Sequence, residues 1–228
     1  GTTRDMVDDL AWRYHLDPTR CAVIPNYVLA ESDPVAASER DPGLLLYAGQ
    51  LVPRKRVDVL IQAVASLPDA ASRGIRLEIV GDGPSRRGLE ALAEELKAPV
   101  TFESRVPHRQ LLERMAKAAI YVQASELEGH PKTVIEAMSA GTPVLVAKSP
   151  GLMDVVTHGM NGLRVDATPD AFGTAIDELL RDEEWRDTLG AAAARTIRCE
   201  SALPTILNRE REMHRLALSH VLQRQVAA

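Results

Sequence analysis

Cysteine and aromatic residues are scarce in this chain of 228 residues. The two cysteines, Cys21 and Cys199, lie far apart and in no metal-binding spacing. We therefore expect free thiols in a reducing compartment, not a disulfide framework or a structural zinc site. Aromatic residues make up 4% of the chain, which is too few for the stacking platforms of proteins that bind single-stranded nucleic acid.

The sequence also lacks a surplus of positive charge and a long apolar run. Its formal net charge is -5 at pH 7, whereas nucleic-acid-binding domains usually carry a basic surplus. No apolar run approaches the ~20 residues of a membrane span. The first four residues show neither the basic region nor the apolar core of a signal peptide. These absences predict a cytoplasmic protein with no nucleic-acid partner.

Strand-like and helix-like apolar segments alternate from about residue 43 onward, which predicts an α/β fold with a doubly wound parallel sheet. The predicted strands are 44–48, 75–80, 100–102, 120–123, 144–147 and 162–165, and amphipathic helices follow the first three of them. A short helix is predicted over 153–156. Thr168, Pro169 and Asp170 indicate the start of another helix, and residues 183–222 read as helical with an interruption near Pro204.

The first 42 residues fit this alternation poorly. Met6, Leu10 and Tyr14 have helical spacing, and residues 22–26 read as a strand. Residues 31–42 are polar and contain two prolines, as a linker would. We therefore divide the chain into 1–42, a sheet domain over 43–200 and a C-terminal helix over 201–228.

Two glutamates, Glu128 and Glu136, flank the predicted start of a helix. Gly129 and Pro131 indicate a loop that ends at the first helical position, and Gly141 suits a left-handed C-cap. One carboxylate then precedes the helix, and the second lies about one turn inside it. From the residues alone, a helical projection of about 100° per residue puts Glu136 opposite the apolar side chains and predicts an exposed surface residue.

The N–H groups between the two glutamates have no partner within a helix, which makes them an anion-binding site. They belong to Lys132, Thr133 and Val134. Carboxylates that bind sugar hydroxyls, together with amides that bind phosphate, are what a nucleotide-sugar site requires.

The order and spacing of four motifs resemble the retaining group-1 glycosyltransferases of the GT-B type. The motifs are Glu-x7-Glu over 128–136, a strand and Gly turn over 44–51 with Lys55, a second-strand turn over 79–84, and a loop over 100–107 that receives the base. The resemblance covers roughly residues 21 to 200. It implies the C-terminal half of a two-domain enzyme, in which 1–42 is a remnant of the N-terminal acceptor domain plus linker and 43–200 is the Rossmann-like donor domain.

The resemblance also implies roles for individual residues. Lys55 would bind the diphosphate, Glu136 the ribose and Glu128 the donor sugar, with Glu128 either a nucleophile or a stabilising carboxylate. Glu128 and Lys55 are the predicted catalytic residues, and the donor-binding residues are Gly49, Gln50, Lys55, Gly81, Arg105, Val106, Glu128, His130, Lys132, Thr133, Val134 and Glu136. His130 reads equally well as a sugar contact or as a surface histidine.

Two departures from common patterns bear on the chemistry. Gln50 stands where the family has an arginine, so the charge that would bind phosphate there is missing, and Arg54 or Arg56 would have to compensate. No Asp-x-Asp motif occurs. We therefore predict a metal-independent transferase without a cofactor, whose donor is a nucleotide diphosphate sugar such as a UDP- or GDP-sugar.

Several alternatives remain open on the sequence. A nucleotide-sugar epimerase or a glycan phosphorylase would share the fold, and Gln50 leaves room for a non-catalytic nucleotide-sugar-binding module. The acceptor, whether a glycan, a lipid or a small molecule, would be chosen by the absent N-terminal domain. Any peripheral membrane association would also depend on that domain, and the isolated chain is expected to be inactive.

Overall fold

Six parallel strands form a single sheet in the computed structural model, which describes residues 1–29 and 37–226. The strands are β1 Asp41–Ala48, β2 Arg76–Val80, β3 Val100–Glu103, β4 Ala118–Gln123, β5 Val144–Ala147 and β6 Leu163–Val165. Their order across the sheet is β3-β2-β1-β4-β5-β6. The predicted α/β fold with a doubly wound parallel sheet is confirmed.

Helices cover both faces of this sheet. They are α1 Arg4–Arg13, α2 Val57–Ala65, α3 Arg86–Glu95, α4 His108–Lys117, α5 Lys132–Ser139, α6 Pro169–Arg181, α7 Glu183–Glu200 and α8 Leu203–Val226. Strands β1, β4 and β5 are almost wholly buried because helices pack on both of their faces. Across residues 1–29 and 37–226 we find no helix with the length and apolar character needed to cross a membrane.

The strand order reverses between β1 and β4. From β1 the chain continues outward through β2 to β3, and it then returns to β4 on the other side of β1. In open α/β sheets, ligands bind in the crevice outside the carboxyl ends of the strands at such a switch point. The segments after Ala48 and after Gln123 meet at this crevice.

Three predicted elements differ from the structure. Strand β1 begins at Asp41, inside the segment assigned to the linker, of which residues 31–36 lie outside the described residues. No strand forms over 22–26. The nearby backbone pairs only at Val28, which forms a single β-bridge with Ala202. The bridge is limited to one residue because its partner lies at the break between α7 and α8, not on a strand.

The predicted helix over 153–156 is also wrong, since the segment forms turns only. The Asn161 side chain accepts from the N–H of Thr157 at 2.6 Å and donates to the carbonyl of Val155 at 3.2 Å. It thereby takes the backbone groups that a continuing helix would use. The interruption near Pro204 is confirmed, because α7 ends at Glu200 and Pro204 lies in the first turn of α8.

Candidate functional site

The turns that follow β1 and β2 pack directly against each other. The Gly49 N–H donates to the Val80 carbonyl at 3.0 Å, and the Leu51 N–H donates to the Asp82 carbonyl at 3.0 Å. Gly81 has a φ of +151°, and an added Cβ there would collide with the Gly49 carbonyl. Glycine is therefore required at 81, and the structure brings the predicted residues Gly49 and Gly81 into contact.

Lys55 and Glu128 form an ion pair in the crevice. The Lys55 Nζ donates to the Glu128 Oε1 at 2.5 Å, and the two side chains are only 12% and 9% exposed. Gln123 Nε2 donates to the same oxygen at 2.6 Å, and the Arg54 Nη1 lies 3.7 Å from the Glu128 Oε2. Because its donors come from the segment after β1 and from the end of β4, the carboxylate is held at the switch point of the sheet.

Gln123 is a site residue that the sequence analysis missed. The Tyr121 hydroxyl lies 3.1 Å from Gln123 Oε1 and 3.0 Å from the Ala48 carbonyl. Burial raises the pKa of Tyr121, so this phenol stays protonated and acts as a donor. The available signal was a single amide that ends the otherwise apolar run of β4, where a polar side chain reaches the crevice.

The backbone of Glu128 is fixed by the turn after β5. The Glu128 N–H donates to the Pro150 carbonyl at 3.1 Å. Gly151 has a φ of +80°, and a Cβ there would collide with the Glu128 carbonyl. The close approach of the two backbones therefore depends on glycine at 151, which the sequence analysis did not select.

Helix α5 begins one residue later than predicted. Pro131 is its N-cap and Lys132 its first residue, while Gly141 follows its end with a φ of +75°, as predicted. The Val134 N–H donates to the Pro131 carbonyl at 3.1 Å, so this amide is already paired. Lys132 and Thr133 retain N–H groups without a partner in the described part of the chain.

Glu136 is buried, so the interpretation as an exposed surface residue is wrong. Its side chain is 6% exposed, and its Oε1 lies 2.9 Å from the His108 Nε2 and 3.9 Å from the Lys132 Nζ. The helical projection failed because α5 packs against α4 and α7 as well as against the sheet. The proposed contact with ribose is not tested by this burial and stays a prediction.

His130 lies half-buried between Glu128 and α5. Its Nδ1 is buried and has no hydrogen-bond partner within residues 1–29 and 37–226. Burial lowers the pKa of this imidazole below its usual 6.5, which favours the neutral form. A half-buried ring is compatible with both interpretations, so the contact of His130 with the donor sugar stays a prediction.

The predicted base loop is tied to the turn after β2 through Asp82. The Arg105 N–H donates to the Asp82 Oδ2 at 3.2 Å, while the Arg86 Nη1 donates to the Oδ1 at 2.8 Å. The Arg105 N–H, together with Arg86, holds the pKa of the Asp82 carboxyl below its usual range. Val106 packs against the core, so the loop is fixed on both sides.

Gln50, Arg54 and Arg56 have different contacts around the site. The Gln50 side chain is exposed, and the Gln50 backbone carbonyl accepts from the Tyr47 hydroxyl at 3.3 Å. Arg56 contacts Glu126 and Asp58, both on the surface. Arg54 donates to the Leu127 carbonyl at 2.9 Å and lies near Glu128. Arg54 is therefore the better placed of the two arginines to add charge at the site.

The site consists of carboxylates, a lysine and backbone amides. Among the described residues, no group of three or more His, Cys, Asp and Glu side chains could hold a metal ion. The cations Lys55 and Arg54 and the open amides of α5 are the groups available to neutralise a polyanion.

Comparison with known proteins relates this geometry to a family. Residues 30–196 match the family model described as glycosyl transferases group 1. A D-inositol 3-phosphate glycosyltransferase of Frankia alni is 33% identical over 215 residues, which cover 85% of this chain and 52% of that protein. The chain thus spans about half the length of the curated relatives it matches.

Two solved structures show the same architecture. The sucrose-phosphate synthase from Thermosynechococcus elongatus superimposes with a TM-score of 0.80 at 25% identity, covering 94% of this chain and 57% of that one. HepE from Anabaena, in complex with UDP and glucose, superimposes with a TM-score of 0.75 at 21% identity, covering 84% of this chain and 56% of that one. These similarities confirm the Rossmann-like fold expected of a GT-B glycosyltransferase domain.

Proposed function

This chain belongs to the group 1 glycosyl transferases, and we propose that it is the donor-binding domain of a retaining, metal-independent glycosyltransferase. The observation that carries the proposal is the Lys55–Glu128 pair, which lies beside the open N-terminus of α5 at the switch point of the sheet. A cation, a carboxylate and a helix N-terminus at one crevice match the parts of a nucleotide diphosphate sugar.

The diphosphate would bind between Lys55 and the start of α5. An ammonium group has three N–H donors, so Lys55 can hold Glu128 with one and a phosphate oxygen with another. The free N–H groups of Lys132 and Thr133 add donors at the positive end of the helix. As the leaving group departs, these donors stabilise its developing charge.

Glu136 would bind the ribose. A carboxylate has about four lone-pair sites, and the contact with His108 uses one of them. The remaining sites can accept both ribose hydroxyls. The base would lie against the backbone at Arg105 and Val106, where the bond to Asp82 fixes the loop.

The transfer step would take place at Glu128 and His130. The acceptor hydroxyl attacks the anomeric carbon from the face that the diphosphate leaves and passes its proton to an oxygen of the departing diphosphate. The Glu128 carboxylate stabilises the oxocarbenium character that develops. His130, in its neutral form, would contact a sugar hydroxyl through the accessible part of its half-buried ring. Net retention of configuration follows from attack on that same face.

The UDP and glucose bound to HepE support a UDP-sugar as the first donor to test. The D-inositol 3-phosphate in the names of the relatives makes a phosphorylated cyclitol the first acceptor to test. Because the chain spans about half of those relatives, we assign acceptor binding to a second domain. Cys21 and Cys199 are both free thiols, which favours the reducing cytoplasm as the compartment.

Calorimetric titration of the 228-residue chain with UDP, GDP and ADP tests donor binding. We expect one nucleoside diphosphate to bind with the same affinity in EDTA as in Mg²⁺, because Lys55 and the amides of α5 replace a metal. No binding of any diphosphate would contradict the proposal, and binding that needs Mg²⁺ would refute metal independence. Joined to its acceptor half, the chain should form a product with the anomeric configuration of the donor.

Gln50 supports a second candidate, a nucleotide-sugar-binding module without turnover. An exposed neutral amide in place of an arginine weakens the hold on a leaving diphosphate. Binding without turnover in the complete protein, with turnover appearing in Gln50→Arg, would select this candidate.

A further inference from the structure

We propose that residues 26–28 form a latch that positions the donor site, with Asn26 and Tyr27 as positioning residues. The proposal rests on the function proposed above. It concerns a segment that precedes the sheet in sequence and that contributes no group to the reaction itself.

The first contact of the latch is made by Asn26. Its Nδ2 donates to the carbonyl of His130 at 2.8 Å, across 104 residues of sequence. His130 lies in the loop between Glu128 and α5, where no helix or strand pairs the backbone. The Asn26 amide therefore sets the orientation of the peptide that joins His130 to the N-cap Pro131.

The second contact is made by Tyr27. The Nζ of Lys132 lies 5.8 Å from the centroid of the Tyr27 ring, within range of a cation–π interaction. The same Nζ lies 3.9 Å from the Glu136 Oε1. Lys132, the first residue of α5, is thereby held between the latch and the proposed ribose carboxylate.

Val28 anchors the latch at its other end. It is buried, its N–H donates to the Ser201 carbonyl at 2.9 Å, and the Leu203 N–H donates back to its carbonyl at 3.3 Å. Ser201 and Leu203 flank the break between α7 and α8. The latch thus connects a fixed point at this break to the loop of the site.

The N-terminal segment also limits the space beside Gly129. An added Cβ on Gly129 would lie 3.3 Å from the Met6 Cε and 3.8 Å from the Thr2 Oγ1. The loop from Glu128 to Pro131 is therefore packed by α1 next to Gly129 and bonded to Asn26 at His130. Together these contacts fix the direction of the His130 ring and of the two open amides of α5.

The test compares Asn26→Asp with a matched control, Asn208→Asp, in the 228-residue chain. The first replacement removes the donor and faces a carboxylate to the His130 carbonyl. The second makes the same change on an exposed position of α8. UDP affinity is measured by calorimetry, and hydrogen exchange is measured at the amides of Val134 and Ile135, which both donate to the Pro131 carbonyl.

We expect Asn26→Asp to weaken UDP binding roughly threefold to tenfold, the equivalent of one hydrogen bond. Exchange at Val134 and Ile135 should accelerate while β1 and β4 keep their protection. Asn208→Asp should change neither quantity, and Asn26→Gln, which retains a donor, should recover part of the loss. Tyr27→Leu alters an exposed side chain, is not expected to impair folding, and should weaken UDP binding by a smaller factor.

Unchanged UDP affinity and unchanged exchange in Asn26→Asp would overturn the latch. So would faster exchange spread evenly over the whole sheet, because the role would then be global stability. If the unsubstituted chain binds no nucleoside diphosphate, the proposed function fails, but local exchange at Val134 and Ile135 still decides for or against the latch.

Discussion

The Nε2 of His108 lies 2.9 Å from the Oε1 of Glu136, which joins an exposed histidine on α4 to a buried glutamate on α5. The pair connects the end of the base loop to the proposed ribose site, because α4 begins directly after Pro107. A carboxylate as buried as Glu136 needs such a partner. Both helices therefore contribute to the position of one carboxylate oxygen in the proposed ribose site.

Replacing each of the two glutamates by glutamine should have a different effect. Glu136→Gln should weaken binding of the free nucleoside diphosphate by about 1–3 kcal/mol, the value of a lost charged hydrogen bond. Glu128→Gln should not weaken it, because Glu128 is proposed to contact the sugar, and its neutralisation releases Lys55. Calorimetry on both variants checks this, and equal weakening in both would show that the two roles are wrongly assigned. In the complete enzyme, Glu128→Gln should lower kcat.

The contributions of Lys55 and Glu128 to the free energy of unfolding should be coupled. Lys55→Met or Glu128→Gln alone should lower the free energy of unfolding by about 1–3 kcal/mol, because each leaves a buried polar group without its partner. The double variant should lose less than the sum of the two. Urea unfolding followed by circular dichroism measures the cycle. Arg109→Met, in an exposed pair with Glu113, should change little, and strictly additive losses would contradict direct coupling.

Gln50→Arg should tighten binding of the nucleoside diphosphate. A charge-assisted hydrogen bond contributes about 1.5–3 kcal/mol compared with about 0.5–1.5 for a neutral one, so an affinity gain of roughly tenfold is expected. The gain should shrink as salt increases. Gln62→Arg on α2 controls for the added charge. An equal gain of affinity in both variants would show that the net charge, and not the position of the new arginine in the site, causes the effect.

His130 should make stability depend on pH. Burial lowers the pKa of its imidazole in the folded chain below 6.5, so the unfolded chain takes up the proton more readily. The contribution to stability is full above pH 6.5 and is lost as the pH falls from there through the folded pKa. The free energy of unfolding, measured by urea unfolding at pH 7.5 and at pH 5.5, should fall less between these two pH values in His130→Gln than in the unsubstituted chain. His214→Gln, on exposed α8, should leave the loss unchanged.

The sequence was sufficient to predict the parallel sheet and the positions of the main site residues. Parallel strands that alternate with helices bring the strand ends to one edge, so Gly49, Gly81 and Glu128 had to meet near it. The glycine that ends α5, Gly141, was likewise predictable from local conformation alone.

Contacts between distant segments could not be predicted. The burial of Glu136 depends on how α4 packs against α5, and the bond from Asn26 to His130 spans 104 residues. The pairing of the Val134 amide was missed for a local reason, since Pro131 became the N-cap and offered its carbonyl. Such details depend on tertiary packing or on a shift of one residue, which periodicity does not resolve.

The close approach of Gly151 to Glu128 has a consequence for natural variation in this gene. Any side chain at 151 would push the Glu128 backbone away from the turn after β5, while Lys55 and Gln123 hold its carboxylate from the other side. A missense change at 151 would therefore displace the Glu128 backbone without altering either glutamate of the Glu-x7-Glu segment. A survey of alleles limited to the Glu-x7-Glu segment would score such a sequence as intact and miss the displaced Glu128 backbone.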